Sequence, residues 1–467
     1  MSCLVLRVPL SRGSERQYVA QVILGEFLGL EHQVIAERRD DWCLTIGEGL
    51  PSLRMPDCFL RQADRDWLRP SSLPCSPLPL WRVGASLPEV ALIEPQVPII
   101  AGRPSLQDGC LLELKGNNAW LGLDVLGSAF FMLTQYEELC KPDRDKHGRF
   151  PVTSSLAFQE GFLERPIVDE YVEILWACMR RLWPGLQRTE RSYRLVVSHD
   201  VDRPILRLFS PAYLVRSCVG DLMTHRNLMV PTRRARSWLL VKLGRAQEDK
   251  LDTFGQMMVV EERHGLSASY NFMAGAKSFW DARYSIDDPW IRGLMKKVRD
   301  RGHVIGFHGG YETYRDPSLT RQQFATLVRA CETEGIRQDT WGGRQHFLRW
   351  EAPHTWQNWE DAGLQYDSTV GFADHVGFRC GTCCEYPVFN LVTGKRLRLR
   401  ELPLVAMDGT LLDFMSLDSQ AMLERLCKLN ARCRLYGGDF TLLWHNDSLA
   451  FRDAGVSYGQ ILEELGC

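Results

Sequence analysis

The sequence predicts an α/β protein in which a deformed (β/α) barrel, closed or nearly closed, follows an additional N-terminal α/β domain. Two observations predict this fold. From residue 193 onward, strand-forming and helical runs alternate in about seven β–α units over roughly 270 residues, a pattern typical of a parallel sheet with crossover helices. Before that point the pattern is irregular, and the polar stretch PGLQRTERS at 184–192 is a natural linker. We therefore expect an N-terminal domain over residues 1–185 and the barrel over residues 193–467.

Helices are predicted at three places in the N-terminal part. Residues 18–30 (YVAQVILGEFLGL) have an amphipathic pattern closed by glycine, and residues 122–140 (GLDVLGSAFFMLTQYEELC) form another helical run. A third helix is expected after Pro166, because apolar residues then recur at steps of three and four. These apolar residues are Val168, Val172, Leu175, Met179 and Leu182. No catalytic combination of residues is predicted in this part.

The barrel region begins with the strand RLVVSH, and further strands are predicted at LSASYNFMAG, HVIGFH, TWGGRQHFL and FTLLWH. A basic insertion at residues 203–250 interrupts the alternation. It is either a helical pair with a solvated basic face, or a lid or dock for an anionic substrate handle such as a phosphate. Its arginines include Arg203, Arg207, Arg216, Arg226, Arg233, Arg234 and Arg236.

Composition narrows the classes of function. The chain has 467 residues and a formal net charge of −2, which argues against bulk attraction to nucleic acid or anionic membranes. No apolar run reaches the length of a membrane helix, and the first residues do not have the pattern of a signal peptide. Fifteen cysteines without regular spacing fit a reducing compartment. We therefore expect a cytoplasmic protein without a transmembrane segment.

Ionisable residues collect where the predicted strands end. Asp200 and Asp202 end the first strand, and His308 and His445 end two others. Strand ends of a β/α barrel meet at one rim, where ligands bind. Two close carboxylates are costly to keep charged unless a cation relieves them, and carboxylate with imidazole suits zinc or a similar first-row metal. The arrangement indicates a hydrolase in which one aspartate binds metal and the other acts as a base.

Four motifs in this region resemble those of the polysaccharide deacetylases of the NodB type, which are carbohydrate esterases acting on N-acetyl groups. SHDVD resembles the first motif and GHVIGFHGGY the second; GGRQHF and LLWHND resemble the third and the last. Order and spacing agree over residues 193–447. GEFLGL, FFMLTQYEE and GRFP are similar to segments of a bacterial subgroup that has an extra N-terminal domain and is linked to surface-polysaccharide synthesis.

The resemblance implies a role for each matching residue. Asp200 would be the catalytic base, positioned by Arg344, and His445 the general acid. Asp202 and His308 would bind a divalent metal, expected to be Zn²⁺. The family has a second histidine four residues after the first, and here that position is Glu312.

The third metal ligand is therefore left open between Glu312 and His346. Asp374, His375 and Arg379 follow another strand, where they either line the substrate pocket or form a polar loop. Cys380, Cys383 and Cys384 are interpreted as reduced thiols, since no second C-x-x-C pair accompanies them.

The sequence thus predicts a metal-dependent hydrolase that removes an N-acetyl group from a sugar. Its substrate would be an N-acetylated saccharide, and a nucleotide- or lipid-linked form would supply the phosphate handle considered for the basic insertion. Two alternatives stay open. One is hydrolysis of another C–N bond, in a ureide or a formamide. The other is a sugar-binding or scaffold protein on a catalytically dead barrel, suggested by the missing second histidine.

Overall fold

The structure is a computed structural model that describes residues 3–47, 49, 51–105, 110–225, 228–275, 278–451 and 457–466. Arg226 of the basic insertion lies outside the described residues. None of the described helices is long and apolar enough to cross a membrane.

The N-terminal part is built on a mixed sheet. Its strands are β1 (Leu4–Pro9), β2 (His32–Glu37), β3 (Asp41–Ile46), β4 (Ser52–Pro56), β5 (Leu80–Arg82), β6 (Gln96–Pro98), β7 (Leu112–Lys115) and β8 (Asn118–Leu121). The helices that follow or cross them are α1 (Gly13–Ala20), α2 (Val125–Leu133), α3 (Tyr136–Cys140), α4 (Leu156–Gln159) and α5 (Ile167–Leu182). Six of the strands form one sheet in the order β2-β1-β3-β4-β8-β7, while β5 and β6 form a separate antiparallel ribbon.

The predicted helices are present, with one break. α5 begins directly after Pro166 and buries the predicted apolar face, apart from its last residue. The run 122–140 is divided into α2 and α3 because Gln135 takes a left-handed conformation (φ 53°). The first predicted helix starts earlier, at Gly13, and continues past α1 as a π-helical segment, Gln21–Phe27.

The C-terminal part contains a nine-stranded sheet. Its strands are β9 (Arg194–Asp200), β10 (Ser269–Phe272), β11 (Val304–Gly309), β12 (Gly342–Gln345), β13 (Tyr366–Asp367), β14 (Tyr386–Asn390), β15 (Lys395–Glu401), β16 (Ala406–Met407) and β17 (Asp439–Leu443). Their order is β14-β15-β13-β12-β11-β10-β9-β17-β16, and every pair except β14–β15 is parallel. The chain is therefore a mixed α/β protein with a curled half-barrel sheet, consistent with the predicted deformed barrel.

Helices lie between these strands in the chain or follow the last of them. They are α6 (Pro211–His225), α7 (Met229–Lys242), α8 (Phe254–Arg263), α9 (Pro289–Asp300), α10 (Pro317–Thr333), α11 (His354–Ala362), α12 (Ser419–Leu435), α13 (Asn446–Phe451) and α14 (Tyr458–Glu464). Asp288 caps α9 by accepting a hydrogen bond from the backbone N–H of Trp290, which fits the start predicted for that helix. α6 and α7 form the helical pair predicted for the basic insertion.

The two parts of the chain share one hydrophobic core. Tyr18 of α1 donates to the carbonyl of Pro387 (2.9 Å), and Tyr386 of β14 donates to the carbonyl of Leu133 (2.9 Å). Both bonds are buried, and apolar side chains from both sheets belong to a single cluster. The N-terminal helices therefore cover the β14–β15 edge of the large sheet. The division into domains at residues 185 and 193 stays a prediction.

Strand register brings the predicted rim residues side by side. Asp200 pairs with Asn271 across β9 and β10, and His308 pairs with Arg344 across β11 and β12. Gly343 lets β12 approach this closely: its φ is 154°, and a Cβ there would lie 2.0 Å from the carbonyl oxygen of Phe307. The parallel register thus gathers carboxylate, imidazole and guanidinium groups at one edge.

A buried pair of acids sits on the neighbouring strands. Asp367 of β13 is paired in register with Glu401 of β15, and both side chains are fully buried. Burial raises the pKa of Asp367 to about 7. Burial together with Asp367 raises the pKa of Glu401 well above its usual value.

This pair predicts a pH dependence of stability. A carboxyl group with a raised pKa binds its proton more tightly when folded, so its stabilisation is complete below the unfolded pKa and is lost as pH rises through about 7. In the wild-type protein we expect Asp367 to lower the unfolding free energy by up to about 4 kcal/mol as pH rises from 4 to 8. Asp367→Asn should abolish this contribution to the pH dependence. Urea unfolding across this range measures it. The exposed Asp361→Asn is the control, and an unchanged pH slope in Asp367→Asn would contradict the assignment.

Candidate active site

Asp200 is held at the end of β9 by two side chains. The amide Nδ2 of Asn271 donates to its Oδ1 (2.7 Å), and Nη1 of Arg344 lies 3.2 Å from the same oxygen. Arg344 is itself fixed by donating to Ser198 Oγ and to the carbonyl of Ser368. Burial alone would raise the pKa of Asp200, but the charges of His308 and Arg344 outweigh it and lower the pKa. Asp200 is therefore a buried, ionised carboxylate with Oδ2 left to take a proton.

Asp202 lies next to two imidazoles. Nε2 of His308 is 3.1 Å from Asp202 Oδ1, and Nε2 of His346 is 3.6 Å from the same oxygen. One ligand atom from each of these three residues lies within 4.8 Å of the others, which makes them a candidate metal group. The structure therefore brings His346, one of the two residues considered as third ligand, to the predicted pair.

The second nitrogen of each ring supports this interpretation. His308 Nδ1 lies 3.0 Å from the carbonyl oxygen of Arg344, and His346 Nδ1 lies 3.3 Å from Oδ1 of Asp281. Because these partners accept hydrogen bonds, a proton on Nδ1 of each ring would leave Nε2, the nitrogen nearest Asp202, available to bind a cation. This donor set, one carboxylate and two imidazoles backed by acceptors, fits a first-row divalent cation.

Sequence reasoning missed Asp281. It lies in the segment after β10 and is fixed by the backbone N–H groups of Tyr311 (2.7 Å) and Ser278 (2.8 Å). Its neighbours SFWDARY have no recognisable motif. Only the tertiary contact with His346 reveals its role.

His445 faces Asp202 from the other side. Its Nδ1 lies 2.7 Å from Oδ1 of Asp408, its backbone N–H donates to Asp408 Oδ2 (2.9 Å), and its Nε2 is 3.8 Å from Asp202 Oδ2. Burial lowers the pKa of His445, but Asp408 and the two rim aspartates raise it to about 10 overall. The ring is thus a cation able to donate a proton from Nε2.

Asp408 was also missed by the sequence prediction. Its position directly after the strand segment LVAM was a signal that could have identified it.

A cavity of about 540 Å³ opens over these groups. Asp200, Asp202, His346 and His445 line its floor, and α6 contributes residues to one wall. Aromatic rings form much of the rest: Tyr213, Phe279, Trp280, Phe347 and Phe414. The cavity is large enough for a ligand the size of a small saccharide.

The remaining predicted residues lie elsewhere. Glu312 is 60% exposed, lies 3.3 Å from Nη1 of Arg349, and is outside the candidate metal group of the described residues. Asp374 and His375 lie 3.6 Å apart in a half-exposed position and do not line the cavity. Their contribution to substrate binding stays a prediction.

Arg379 was predicted near substrate, but its guanidinium is buried against the N-terminal part. Nη2 donates to Oε2 of Glu138 (2.7 Å), with both side chains almost fully buried. Arg379 also stacks on Phe372 at 4.7 Å. These contacts give it a place in the interface between the two parts of the chain.

Removing this cation should therefore affect stability. We expect Arg379→Met to lower the unfolding free energy by about 3–5 kcal/mol, because the buried Glu138 would lose its hydrogen-bonded cation and keep only Arg144, whose Nη2 lies 3.7 Å from Oε1. The double variant Arg379→Met, Glu138→Gln should recover part of the loss. Chemical unfolding measures both, and a KM increase without loss of stability would instead support a substrate contact.

A second three-residue group, Asp169, Cys383 and Cys384, lies buried away from the rim. Arg191 contacts both Asp169 (3.2 Å) and the Cys384 thiol. Burial raises the pKa of that thiol well above its usual value. A guanidinium and protonated thiols disfavour a cation there, in line with the interpretation of these cysteines as thiols.

Comparison with known proteins gives limited matches. Residues 4–184 match the model of a family of unknown function, DUF7033. No curated protein matches the chain. A solved structure described as a polysaccharide deacetylase from Mycobacterium smegmatis is 18% identical, with a TM-score of 0.38 over 59% of this chain and 83% of that one.

Two further solved structures are similar at the same level. One described as a polysaccharide deacetylase from Pseudomonas aeruginosa PAO1 is 14% identical, with a TM-score of 0.35 over 67% of this chain and 89% of that one. A Puue allantoinase is 14% identical, with a TM-score of 0.33 over 61% and 83% of the two chains. The site described above therefore rests on its own geometry.

Proposed function

We propose that the chain is a metal-dependent hydrolase that removes the N-acetyl group from a saccharide. The observation that supports this proposal most directly is that the two aspartates at the strand ends have different neighbours. Asp202 lies with His308 and His346 as a candidate ligand set. Asp200 lies apart from this set and is held by Asn271 and Arg344. A separate cationic imidazole, His445, faces the same space. Metal ligand, base and acid are the three parts that amide hydrolysis needs.

The chain's own groups divide the proton transfers between them. Oδ2 of Asp200 takes the proton of the attacking water, since Oδ1 is occupied by two donors. His445 Nε2 gives a proton to the departing sugar nitrogen, and Asp408 holds the ring in the required orientation. A divalent cation held by Asp202, His308 and His346 would supply Lewis-acid chemistry.

The aromatic residues that line the cavity favour a saccharide as the substrate. Phe279 and Trp280 are 59% and 42% exposed and line the cavity. Arg216 lies over one face of Phe279, with Cζ 3.4 Å from the ring centroid, and a sugar ring can lie on an exposed ring face beside it. Trp280 is also packed edge-on against Phe347, with ring centroids 5.7 Å apart. The acetamide would then reach the rim below.

Metal analysis and a substrate panel test this function. We expect purified protein to contain one divalent first-row metal per chain and to release acetate from N-acetylated oligosaccharides. A chelator should abolish the release and added metal restore it. Preference for a ureide or a formamide would support the alternative C–N hydrolase. Absence of both metal and turnover would support a binding or scaffold protein.

A further inference from the structure

The helical pair α6–α7 exposes far more apolar surface than its length explains. Of 18 large apolar side chains that are exposed in the described part of the chain, eight lie between residues 215 and 243. They are Val215, Val219, Leu222, Met223, Leu228, Met229, Leu239 and Leu243. Such a concentration marks an interaction surface.

The exposed residues follow helical spacing. In α6 they recur at steps of four, three and one from Val215 to Met223, which places them along one face. Along α7 and the residue that follows it, the exposed face interleaves apolar and basic residues: Met229, Arg233, Arg236, Leu239 and Leu243. We call these two faces together the hairpin surface.

The fold of the hairpin does not require this surface. Its inner side is stabilised by the pair between Arg234 and Asp221, in which Nε lies 2.7 Å from Oδ2 and both side chains are buried. Leu206, Phe209, Leu214 and Leu251 form a small core beneath it. The exposed apolar side chains are therefore additional to those that hold the two helices together.

The charge of the helical pair indicates which kind of partner binds to the hairpin surface. Residues 206–247 contain eight lysines and arginines and one acid, although the whole chain has a formal net charge of −2. Aliphatic side chains interleaved with arginines suit a surface with anionic headgroups above acyl chains. Nucleic acid would use the arginines but leave the aliphatic residues exposed to water.

We propose that the hairpin surface docks the protein onto the surface of an anionic lipid bilayer, without spanning it. This inference does not depend on the reaction. Two residues of the hairpin surface, Val219 and Met223, also line the cavity, so docking would place its opening next to the membrane. The other α6 residues that line it are Tyr213, Arg216, Ser217 and Gly220. If the proposed function holds as well, the geometry points to a membrane-associated saccharide as the substrate.

Vesicle flotation with the full-length protein tests the docking. We expect binding to vesicles of phosphatidylcholine mixed with phosphatidylglycerol, and little binding to phosphatidylcholine alone. The double variant Leu239→Glu, Leu243→Glu should weaken binding about tenfold or more. So should Arg233→Glu, Arg236→Glu. None of these residues lines the cavity, so turnover of a soluble substrate should be unchanged.

Matched variants elsewhere serve as controls. Leu10 and Leu80 are exposed to a similar degree, 62% and 60%, and Leu10→Glu, Leu80→Glu should leave vesicle binding unchanged. Arg321→Glu, Arg329→Glu on α10 makes the same charge change on another helix. Circular dichroism checks that each variant is folded.

Three results would overturn the proposal. The first is no binding of the wild-type protein to anionic vesicles. The second is an equal loss of binding in the control variants. The third is self-association in sedimentation velocity that Leu239→Glu, Leu243→Glu abolishes while vesicle binding is absent, which would assign the surface to a second copy of the chain.

Discussion

Asp200→Asn is expected to lower kcat by about 10²–10⁴-fold while the protein keeps its metal. The amide can still contact the neighbouring Asn271 and Arg344, so the local structure has partners for it. It cannot take a proton from water, which is the step assigned to the carboxylate. KM should change little, because no contact with the sugar is assigned to the side chain of Asp200. Steady-state kinetics together with metal analysis of the same preparation measures both expectations.

A second buried aspartate at a strand end provides the matched control. Asp367→Asn makes the same chemical change four strands away in the sheet, outside the cavity, and should alter kcat by no more than a few fold. Asp202→Asn should lose metal and turnover together, since Asp202 belongs to the ligand set. Full deacetylation by Asp200→Asn would show that another group acts as the base.

The rim could be predicted from sequence because it depends on local pattern. Strand formers that end in Asp200, His308 or His445 identify strand ends, and parallel strands bring those ends together. The exact register needed the structure, since Asp200 is paired with Asn271, a residue that the sequence did not single out. β9 itself ends at Asp200, so Asp202 reaches the same site from beyond the strand.

The residues behind the rim could not be predicted, because their contacts are distant in the chain. Asp281 reaches His346 across 65 positions, and Asp408 reaches His445 across 37. The sequence also does not show which arginines are buried. Arg234 belongs to the basic insertion and Arg379 to a polar loop, yet both form buried ion pairs.

The choice of third metal ligand depends on a turn that the sequence pattern does not show. Directly after His346, Phe347 and Leu348 take left-handed conformations with φ of 62° and 51°. Such backbone is uncommon for bulky residues and is tolerated where the surrounding structure fixes it. Here it accompanies a histidine whose two nitrogens face Asp202 and Asp281.

His346→Ala is therefore expected to weaken metal binding by at least about 100-fold, whereas Glu312→Ala should leave it unchanged. The first removes an imidazole 3.6 Å from Asp202, and the second an exposed carboxylate paired with Arg349. Asp281→Asn should give an intermediate loss of about 10–100-fold, because it only orients the ring. Competition with a chromogenic chelator measures all three affinities.

The same series separates the two ligand assignments without reference to turnover. Loss of metal in Glu312→Ala with retention in His346→Ala would mean that the loop after β11 rearranges to bring Glu312 to Asp202 and His308. His346→Gln is a further control, since it keeps most of the side-chain volume in a buried position while offering a weaker ligand. If it loses metal as His346→Ala does and both variants unfold like wild type, the imidazole itself is what binds the cation.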